Sequence, residues 1–196
     1  MLVRLLSSFN PSKETSALKC RASFGRLGMR KWRGAMVSMA KLVVCFSLTG
    51  NTRLIAKTIA KEIGADFTEL VPAQQYPLRG AWLYLKGGKE AIFKSEPKLE
   101  RGIVDYAYYD VLVVGSPVWA GSMAPPIRTF LRSDSVKGKR VHVFSTFGAS
   151  PGTSLQEMRD ISRGAVVSEL GVRMGRKFVT QSVDQAKAFA RQLGGN

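Results

Sequence analysis

Residues 41–52 read KLVVCFSLTGNT, and this stretch decides how the rest of the chain is interpreted. Its first half is a continuous apolar run, which is typical of a strand covered on both faces. Its second half is polar and leads into residues 51–63, where apolar side chains recur at helical spacing until Gly64 ends the helix. A buried strand, a polar turn and an amphipathic helix in this order predict the first unit of an α/β sheet.

The remainder of the chain repeats this alternation. Predicted strands lie at 67–71, 111–115, 141–145 and between 166 and 179, and predicted helices lie at about 125–132, 153–161 and 183–193. Strands that alternate with helices favour a doubly wound α/β fold with a five-stranded parallel sheet. In such sheets ligands bind beyond the carboxyl ends of the strands. We therefore expect a site in the loops that follow the first, third and fourth predicted strands.

The loop after the first strand has the composition of an anion site. It consists of Ser47-Leu48-Thr49-Gly50-Asn51-Thr52 and lies at a helix N-terminus, where free N–H groups and the helix dipole attract negative charge. The alternative is a helix cap formed by Thr49 or Asn51, but a cap needs only one polar residue. The loop lacks the lysine of a nucleoside-triphosphate loop and the glycines of a dinucleotide loop. A single terminal monophosphate fits it better.

Three motifs in this order resemble those of the flavodoxin family. Ser47-x-Thr49-Gly50-Asn51-Thr52 is similar to the family's FMN-phosphate loop, 109–121 (YDVLVVGSPVWAG) to its third strand and following loop, and 145–152 (STFGASPG) to its loop after strand four. Together the motifs cover essentially residues 40–193. The resemblance implies the strand order 2-1-3-4-5 and bound FMN. The third loop lacks the long insertion of some flavodoxins, which suggests a divergent short-chain member.

The predicted cofactor site combines this resemblance with the chemistry of the three loops. Trp119 and Phe147 are candidates for packing against the flat flavin ring, and backbone groups of the second and third loops are implied at its polar edge. No catalytic or metal-binding residue is predicted. The predicted FMN-binding residues are Ser47, Leu48, Thr49, Gly50, Asn51, Thr52, Ser116, Pro117, Val118, Trp119, Ala120, Gly121, Thr146, Phe147, Gly148, Ser150 and Gly152.

Residues 148–152 (GASPG) also match the GxSxG pattern of a hydrolase nucleophile elbow, which must be rejected on chemical grounds. The elbow needs an oxyanion-hole N–H from the residue after the serine, and Pro151 has none. It also needs a histidine later in the chain, whereas His142, the only histidine, precedes the motif. Ser150 is therefore not predicted to be a nucleophile.

The formal charge of +16 is unusual for a flavodoxin-like protein, because the soluble carriers of that family are typically acidic. Residues 1–39 hold eight Lys or Arg against Glu14 alone, so +7 lies there and +9 in the remainder. The excess in the remainder forms no dense stripe with interleaved aromatics, so no nucleic-acid function is expected. The positive balance favours acidic redox partner proteins.

We predict a basic N-terminal extension at 1–39 and one flavodoxin-like domain at 40–196. The extension has no helical or strand periodicity, and Met36 and Met39 offer a later start, so it is either a mis-assigned start or an organelle-targeting segment. No apolar stretch is long enough for a membrane span. Only Cys20 and Cys45 occur, which favours a reducing compartment and a cytoplasmic location. The aromatics of 72–99 read as core packing.

Three functions follow from this sequence. The leading hypothesis is an FMN electron-transfer protein without substrate chemistry of its own. The second is an NAD(P)H-dependent FMN or quinone reductase on the same fold, and the third is an interaction module that has lost FMN. The polar loop at 47–52 argues against the third, but fold resemblance does not separate a carrier from an enzyme.

Overall fold

A parallel sheet organises the part of the chain that the computed structural model describes, which is residues 39–73, 76, 94–100 and 104–194. The strands are β1 (Lys41–Cys45), β2 (Asp66–Glu69), β3 (Val111–Trp119), β4 (Ser122–Met123), β5 (Arg140–Phe147) and β6 (Ala165–Arg173). The helices are α1 (Asn51–Ile63), α2 (Pro125–Leu131), α3 (Ser154–Ile161) and α4 (Val179–Gly194). Short 3-10 turns occur at Tyr106–Tyr108 and Asp134–Val136.

The strand order β2-β1-β3-β5-β6 confirms the predicted doubly wound fold. These five strands pair in parallel, and their order corresponds to the predicted 2-1-3-4-5. Strand β4 is an addition that we did not predict: it pairs antiparallel with the end of β3 and lies off the main path. Strand order reverses between β1 and β3, so the carboxyl ends of these strands flank the crevice where such sheets bind ligands.

Alternate residues of the central strands point to two separate cores, as expected for a sheet with helices on both faces. On one face Leu42 and Val44 pack with residues of α2 and α3. On the other face Val43 and Cys45 pack with residues of α1 and α4. Because both faces are covered, the strands read as continuous apolar runs rather than as alternating patterns.

Gly64 and the Pro125-Pro126 pair confirm the predicted helix boundaries. Gly64 caps α1 with a left-handed backbone (φ 61°), and its N–H donates to the carbonyl of Ala60. The two prolines occupy the first positions of α2, where the N–H groups have no intrahelical partner. The other predicted ends differ from the observed ones by only a few residues.

The end of β3 differs from the prediction, which placed a turn directly after Gly115. The strand instead continues through residues 116–119 and pairs with β4, with Val118 opposite Met123 and Trp119 opposite Ser122. Ala120 (φ 49°) and Gly121 (φ 79°) form the turn between them, and two positive φ values in succession are typical of a type I′ hairpin. The glycine of this turn was visible in the sequence, but the register of the hairpin was not.

Several predictions fall wholly or partly outside the described residues. All described residues belong to one unit, Met39–Asn196, whereas the predicted extension at 1–39 lies outside them apart from Met39. In the segment 72–99, the described part includes a bridge between Pro72 and Leu99, and Tyr76 is buried in the core. No helix in the described ranges is both long and apolar enough to cross a membrane.

Candidate cofactor site

A cleft of about 390 Å³ lies at the carboxyl ends of the parallel strands, where the topology predicts a ligand site. Its volume falls in the range of roughly 300–1,000 Å³ that is usual for small-molecule sites. It is lined by Leu48, Thr49, Asn51, Thr52, Pro117, Val118, Trp119, Ala120, Thr146, Phe147, Gly148, Met174 and Gly175. The three loops predicted from sequence therefore meet in one place.

The loop after β1 leaves the N-terminus of α1 open. Gly50 is the N-cap residue, and its φ of 92° lies in the left-handed region that glycine tolerates best. Its N–H donates to Ser47 Oγ at 3.1 Å, which closes the loop on itself. Among the described residues no side-chain hydrogen bond caps this helix, so neither Thr49 nor Asn51 acts as a cap. The N–H groups of that turn are thus available to an anion.

Thr52 joins this loop to the loop after β5. Its side chain is buried, and its Oγ1 lies 2.8 Å from Oγ1 of Thr146. Both residues line the cleft. The hydrogen bond ties two of the predicted loops together beneath the cleft and fixes where each hydroxyl group stands.

Arg53 brings a positive charge to the first turn of α1, but that charge is already paired. Its guanidinium donates to both carboxylate oxygens of Glu69 at the end of β2, at 2.6 and 3.0 Å. A hydrogen bond and the charge of Glu69 raise the pKa of Arg53 above its ordinary value. The ion pair therefore connects α1 to the sheet and leaves the loop close to electrically neutral.

An aromatic cluster holds the side wall of the cleft. Trp119 makes edge contacts with Phe46 and Tyr76, with ring centroids 5.5 and 5.0 Å apart. Phe46 and Tyr76 also contact each other and are buried. Since edge-to-face pairs restrict ring rotation, Trp119 is presented to the cleft in a set orientation. Phe147 lines the cleft from the β5 side.

An ion pair between buried Arg128 and half-buried Glu157 holds the loops after β3 and β5 together. With Ser122 and Thr153, which bond to the same carboxylate, we name these four residues the clamp. Nη2 of Arg128, whose side chain is only 3% exposed, lies 2.6 Å from Oε2 of Glu157. Ser122 Oγ donates to the same oxygen at 2.7 Å, and Thr153 Oγ1 donates to Oε1 at 2.7 Å. A carboxylate held by added hydrogen bonds is the kind of partner that makes burial of the Arg128 charge tolerable.

The pKa of the Glu157 carboxyl reflects these contacts. Burial raises it, but hydrogen bonds from Ser122, Thr153 and Arg128, together with the Arg128 charge, lower it more, so the net shift is downward. Glu157 is therefore ionised at neutral pH. Arg128 Nε is buried without a partner among the described residues, which makes the guanidinium depend on Glu157 for compensation.

Backbone contacts bring the same two loops into direct apposition. The N–H of Thr153 donates to the carbonyl of Gly121 at 2.8 Å. A side chain at Gly152 would overlap that same carbonyl, so only glycine fits there, with a φ of 53°. Ser116 Oγ accepts the N–H of Ala124 at 2.9 Å and thereby holds the return strand of the hairpin.

Most of the predicted site residues line the cleft, but a minority do not. Those that do not line it shape the loops through turns and hydrogen bonds: Ser47, Gly50, Ser116, Gly121, Ser150 and Gly152. Two lining residues, Met174 and Gly175, were missed. They follow β6, whose limits the neighbouring glycines obscured in the sequence. The signal that could have found them is that the carboxyl end of every parallel strand reaches the same edge.

The histidine and the GxSxG serine occupy unrelated structural roles. His142 lies on β5 with Nδ1 2.6 Å from Ser168 Oγ, and burial, followed by the charges of Arg140 and Lys41, lowers its pKa to about 4. Ser150 Oγ accepts the N–H of Gly152 at 3.2 Å. Both residues stabilise local structure, in keeping with the rejection of a hydrolase site.

Known proteins give the same fold. The chain is similar to a flavoprotein from Lactobacillus acidophilus solved in complex with FMN (TM-score 0.59, 22% identity, 74% of this chain and 99% of that one). It is also similar to a protein from Bacteroides eggerthii (TM-score 0.60, 22% identity, 81% and 100%). A third is the flavodoxin WrbA-like protein from Agrobacterium tumefaciens (TM-score 0.56, 15% identity, 80% and 96%).

The family comparison reaches further than these structures, which at such identities establish the fold alone. The search of curated proteins finds no match for this chain. The family model described as flavodoxin matches residues 40–185, which is most of the chain and includes the cleft loops after β1, β3, β5 and β6. On this match, the chain belongs to the flavodoxin family.

Proposed function

We propose that this protein binds FMN non-covalently in the cleft and carries electrons through it. The observation that carries the proposal is the pairing, in one cleft, of an uncapped helix N-terminus with an aromatic wall. The first suits a terminal phosphate and the second suits a flat ring. Family membership and the FMN complex of the Lactobacillus acidophilus protein support the same cofactor.

The residues present fit FMN at both ends. At the phosphate end, the N–H groups of the first turn of α1 and the hydroxyl group of exposed Thr49 are available as donors, and the Thr52 hydroxyl group, held by Thr146, lines the cleft beside them. At the ring end, Trp119, Phe147 and Met174 provide apolar surfaces. Bound FMN supplies reversible electron chemistry, and the chain's own residues hold, orient and partly shield it.

A carrier is favoured over an enzyme by the lining itself. None of the described residues that line the cleft is charged, and none is a histidine or cysteine that could transfer a proton. A reductase on the same fold is the second candidate, because Arg173, Arg176 and Lys177 flank the β6 side of the cleft and could attract a nucleotide phosphate. The buried, free thiol of Cys45 supports the proposal of a reducing, cytoplasmic location.

The test is an absorption spectrum of the purified protein mixed with FMN, followed by gel filtration and by NADPH without air. We expect flavin absorbance to travel with the protein and to persist when NADPH is added. Bleaching by NADPH alone would instead support the reductase. A protein that elutes without flavin would contradict the proposal and favour an interaction module.

A further inference from the structure

The edge of the sheet that holds the cleft has an uneven charge distribution. The described loops after β1, β3, β5 and β6, which are 46–50, 120–121, 148–153 and 174–178, contain no aspartate or glutamate. The exposed Glu100 is bonded through its N–H to Val71, after β2, and β2 and β6 are the two outermost strands of the sheet. Two carboxylates lie nearby, and each is already paired: Glu69 with Arg53 and Glu157 with Arg128. On the β6 side of this edge, positive charge is therefore not offset by acids of the described loops.

Three cations stand together on the β6 side of the cleft, and we name Arg173, Arg176 and Lys177 the basic rim. All three are exposed, and they enclose Met174 and Gly175, which line the cleft. None of the three forms an ion pair with a carboxylate in the described part of the chain. Helix α4 begins directly after them, and the positive end of its dipole adds to the same field.

Arg173 fixes the rim to the cleft. Its Nε donates to the carbonyl of Gly148, a lining residue, at 3.1 Å. Its guanidinium carbon also lies 4.6 Å from the centroid of the Phe178 ring. These contacts hold one positive charge at a defined place beside the mouth of the cleft rather than leaving it on a free side chain.

Most other described arginines of the domain behave differently; only Arg140, at the start of β5, also lacks an ion pair among the described residues. Those that pair with carboxylates are Arg53, Arg128, Arg132, Arg159, Arg163 and Arg191. The arginines of the rim lack such partners although they lie beside the cleft. Unpaired charges at an interface edge guide diffusional encounter and select partners of opposite sign.

We propose that the basic rim is the docking surface for an acidic redox partner protein, whose redox centre it brings to the mouth of the cleft. This inference rests on the proposed function. A protein is the occupant that fits, because the three cations lie exposed along a turn and do not close around a pocket of their own. The lining of the cleft beside them is uncharged, so the attraction comes from the rim and the N-terminus of α4 and not from the cleft itself.

The test compares two haem proteins of opposite charge as electron acceptors: acidic cytochrome b5 and basic cytochrome c. The FMN-loaded protein is reduced without air and mixed with each ferric protein, and haem reduction is followed by stopped flow. Electrons leave the reduced flavin, and each ferric iron accepts one. The variant is Arg176→Gln with Lys177→Gln, which keeps Arg173 and its contact with Gly148.

The matched control is Lys61→Gln with Lys137→Gln. It removes the same charge from two exposed lysines at the opposite edge of the sheet, near the end of α1 and before β5. For cytochrome b5 we expect the rim variant to lower the bimolecular rate constant roughly fivefold or more at low salt and to flatten its dependence on ionic strength. The control should change it less than twofold.

Three results would overturn the proposal. The first is an equal loss in the rim and control variants, which would show a net-charge effect. The second is a faster reaction of the parent protein with cytochrome c than with cytochrome b5. The third is a rim variant that slows reduction by NADPH but not transfer to cytochrome b5, which would assign the rim to a nucleotide.

The FMN dissociation constant separates the two proposals. If the parent protein and the rim variant bind FMN equally and reduce cytochrome b5 with the same rate constant, docking at the rim is wrong and the proposed function stands. If the parent protein binds no FMN, both are wrong.

Discussion

The loop after β1 takes its shape from residues that are close in sequence, whereas the loops after β3 and β5 are joined by residues far apart. Ser47 and Gly50 close the first loop across three positions. In the clamp, Arg128 and Glu157 are 29 positions apart, and Ser122 and Glu157 are 35 apart. The comparison teaches that the turn at one end of the proposed FMN site is locally encoded, with the Thr52–Thr146 hydrogen bond as its one long-range tie, whereas the other end depends on tertiary structure throughout.

The largest effect should come from breaking the clamp. Glu157→Ala leaves the guanidinium of Arg128 buried without a charged partner and with only Ser122 Oγ, at 3.3 Å, to accept from it, which should lower the free energy of unfolding by about 3–5 kcal/mol. Urea unfolding measures this. The control, Glu96→Ala, breaks the exposed pair with Arg132 and should cost about 0–1 kcal/mol. Equal losses in the two variants would mean that the Arg128–Glu157 pair contributes no more to stability than an exposed ion pair does.

The same variant should also separate the two ends of the cofactor. Because the clamp holds only the ring-side loops, Glu157→Ala should weaken binding of riboflavin and of FMN by a similar factor. Riboflavin has the ring without the phosphate, so titration with both ligands isolates the ring end. A loss of affinity for FMN but not for riboflavin would contradict the assignment of the clamp to the ring end of the site.

A smaller loss is expected from Gly152→Ala, which tests the direct contact between the ring-side loops. The added methyl group would overlap the carbonyl of Gly121, and alanine would have to adopt a left-handed backbone conformation at this position. We therefore expect a loss of roughly 3 kcal/mol in stability. Gly138→Ala is the control. Gly138 also has a positive φ but open space around it, and the loss there should be about 1 kcal/mol. Similar losses in the two variants would show that the positive φ alone, and not the overlap with Gly121, causes the loss of stability.

The phosphate end should respond to Thr49→Ala. Thr49 lines the cleft and is exposed, so its removal should cost about 2 kcal/mol of FMN affinity, the value of a hydrogen bond to a charged group. Stability and riboflavin binding should remain unchanged. Fluorescence titration of both ligands measures this, and an unchanged FMN affinity would show that the hydroxyl group does not meet the phosphate.

The smallest effect concerns His142, which lies away from both loops. Its folded pKa, about 4, is below the ordinary value of 6.5, so the unfolded state binds a proton more readily. The stability is fully present above pH 6.5 and falls as the pH is lowered toward 4. At pH 5.5 the loss should be about 1 kcal/mol. His142→Gln should remove this part of the pH dependence without altering FMN affinity; a persistent slope would assign it to other groups.

The sheet and the first loop were predictable because their signals lie within short segments. Apolar runs such as 41–46 and 111–115 identify buried strands, and Gly50 beside Thr49 and Thr52 identifies an open helix N-terminus. The clamp was not predictable. Arg128 reads as an ordinary helix cation, and nothing in its neighbourhood indicates burial next to Glu157.

Two other features escaped prediction for related reasons. The β3–β4 hairpin depends on a register that only the sheet determines, and Met174 and Gly175 reach the cleft because β6 ends at the same edge as its neighbours. In both cases the information lies in how strands pair and not in the residues at the position itself. The sequence predicted the order of the strands in the sheet but not which residues of neighbouring strands lie opposite each other.

The position of Cys45 has a consequence for oxidative damage. This thiol ends β1, two residues before the loop at 47–52, and burial, followed by the negative charge of Glu69, raises its pKa to about 12. A flavin in the neighbouring cleft would generate hydrogen peroxide whenever its reduced form met oxygen. Because the thiolate is the form that attacks peroxide, Cys45 remains unreactive beside that source. Repeated turnover in air should therefore leave this sulfur free of sulfenic and sulfinic acid.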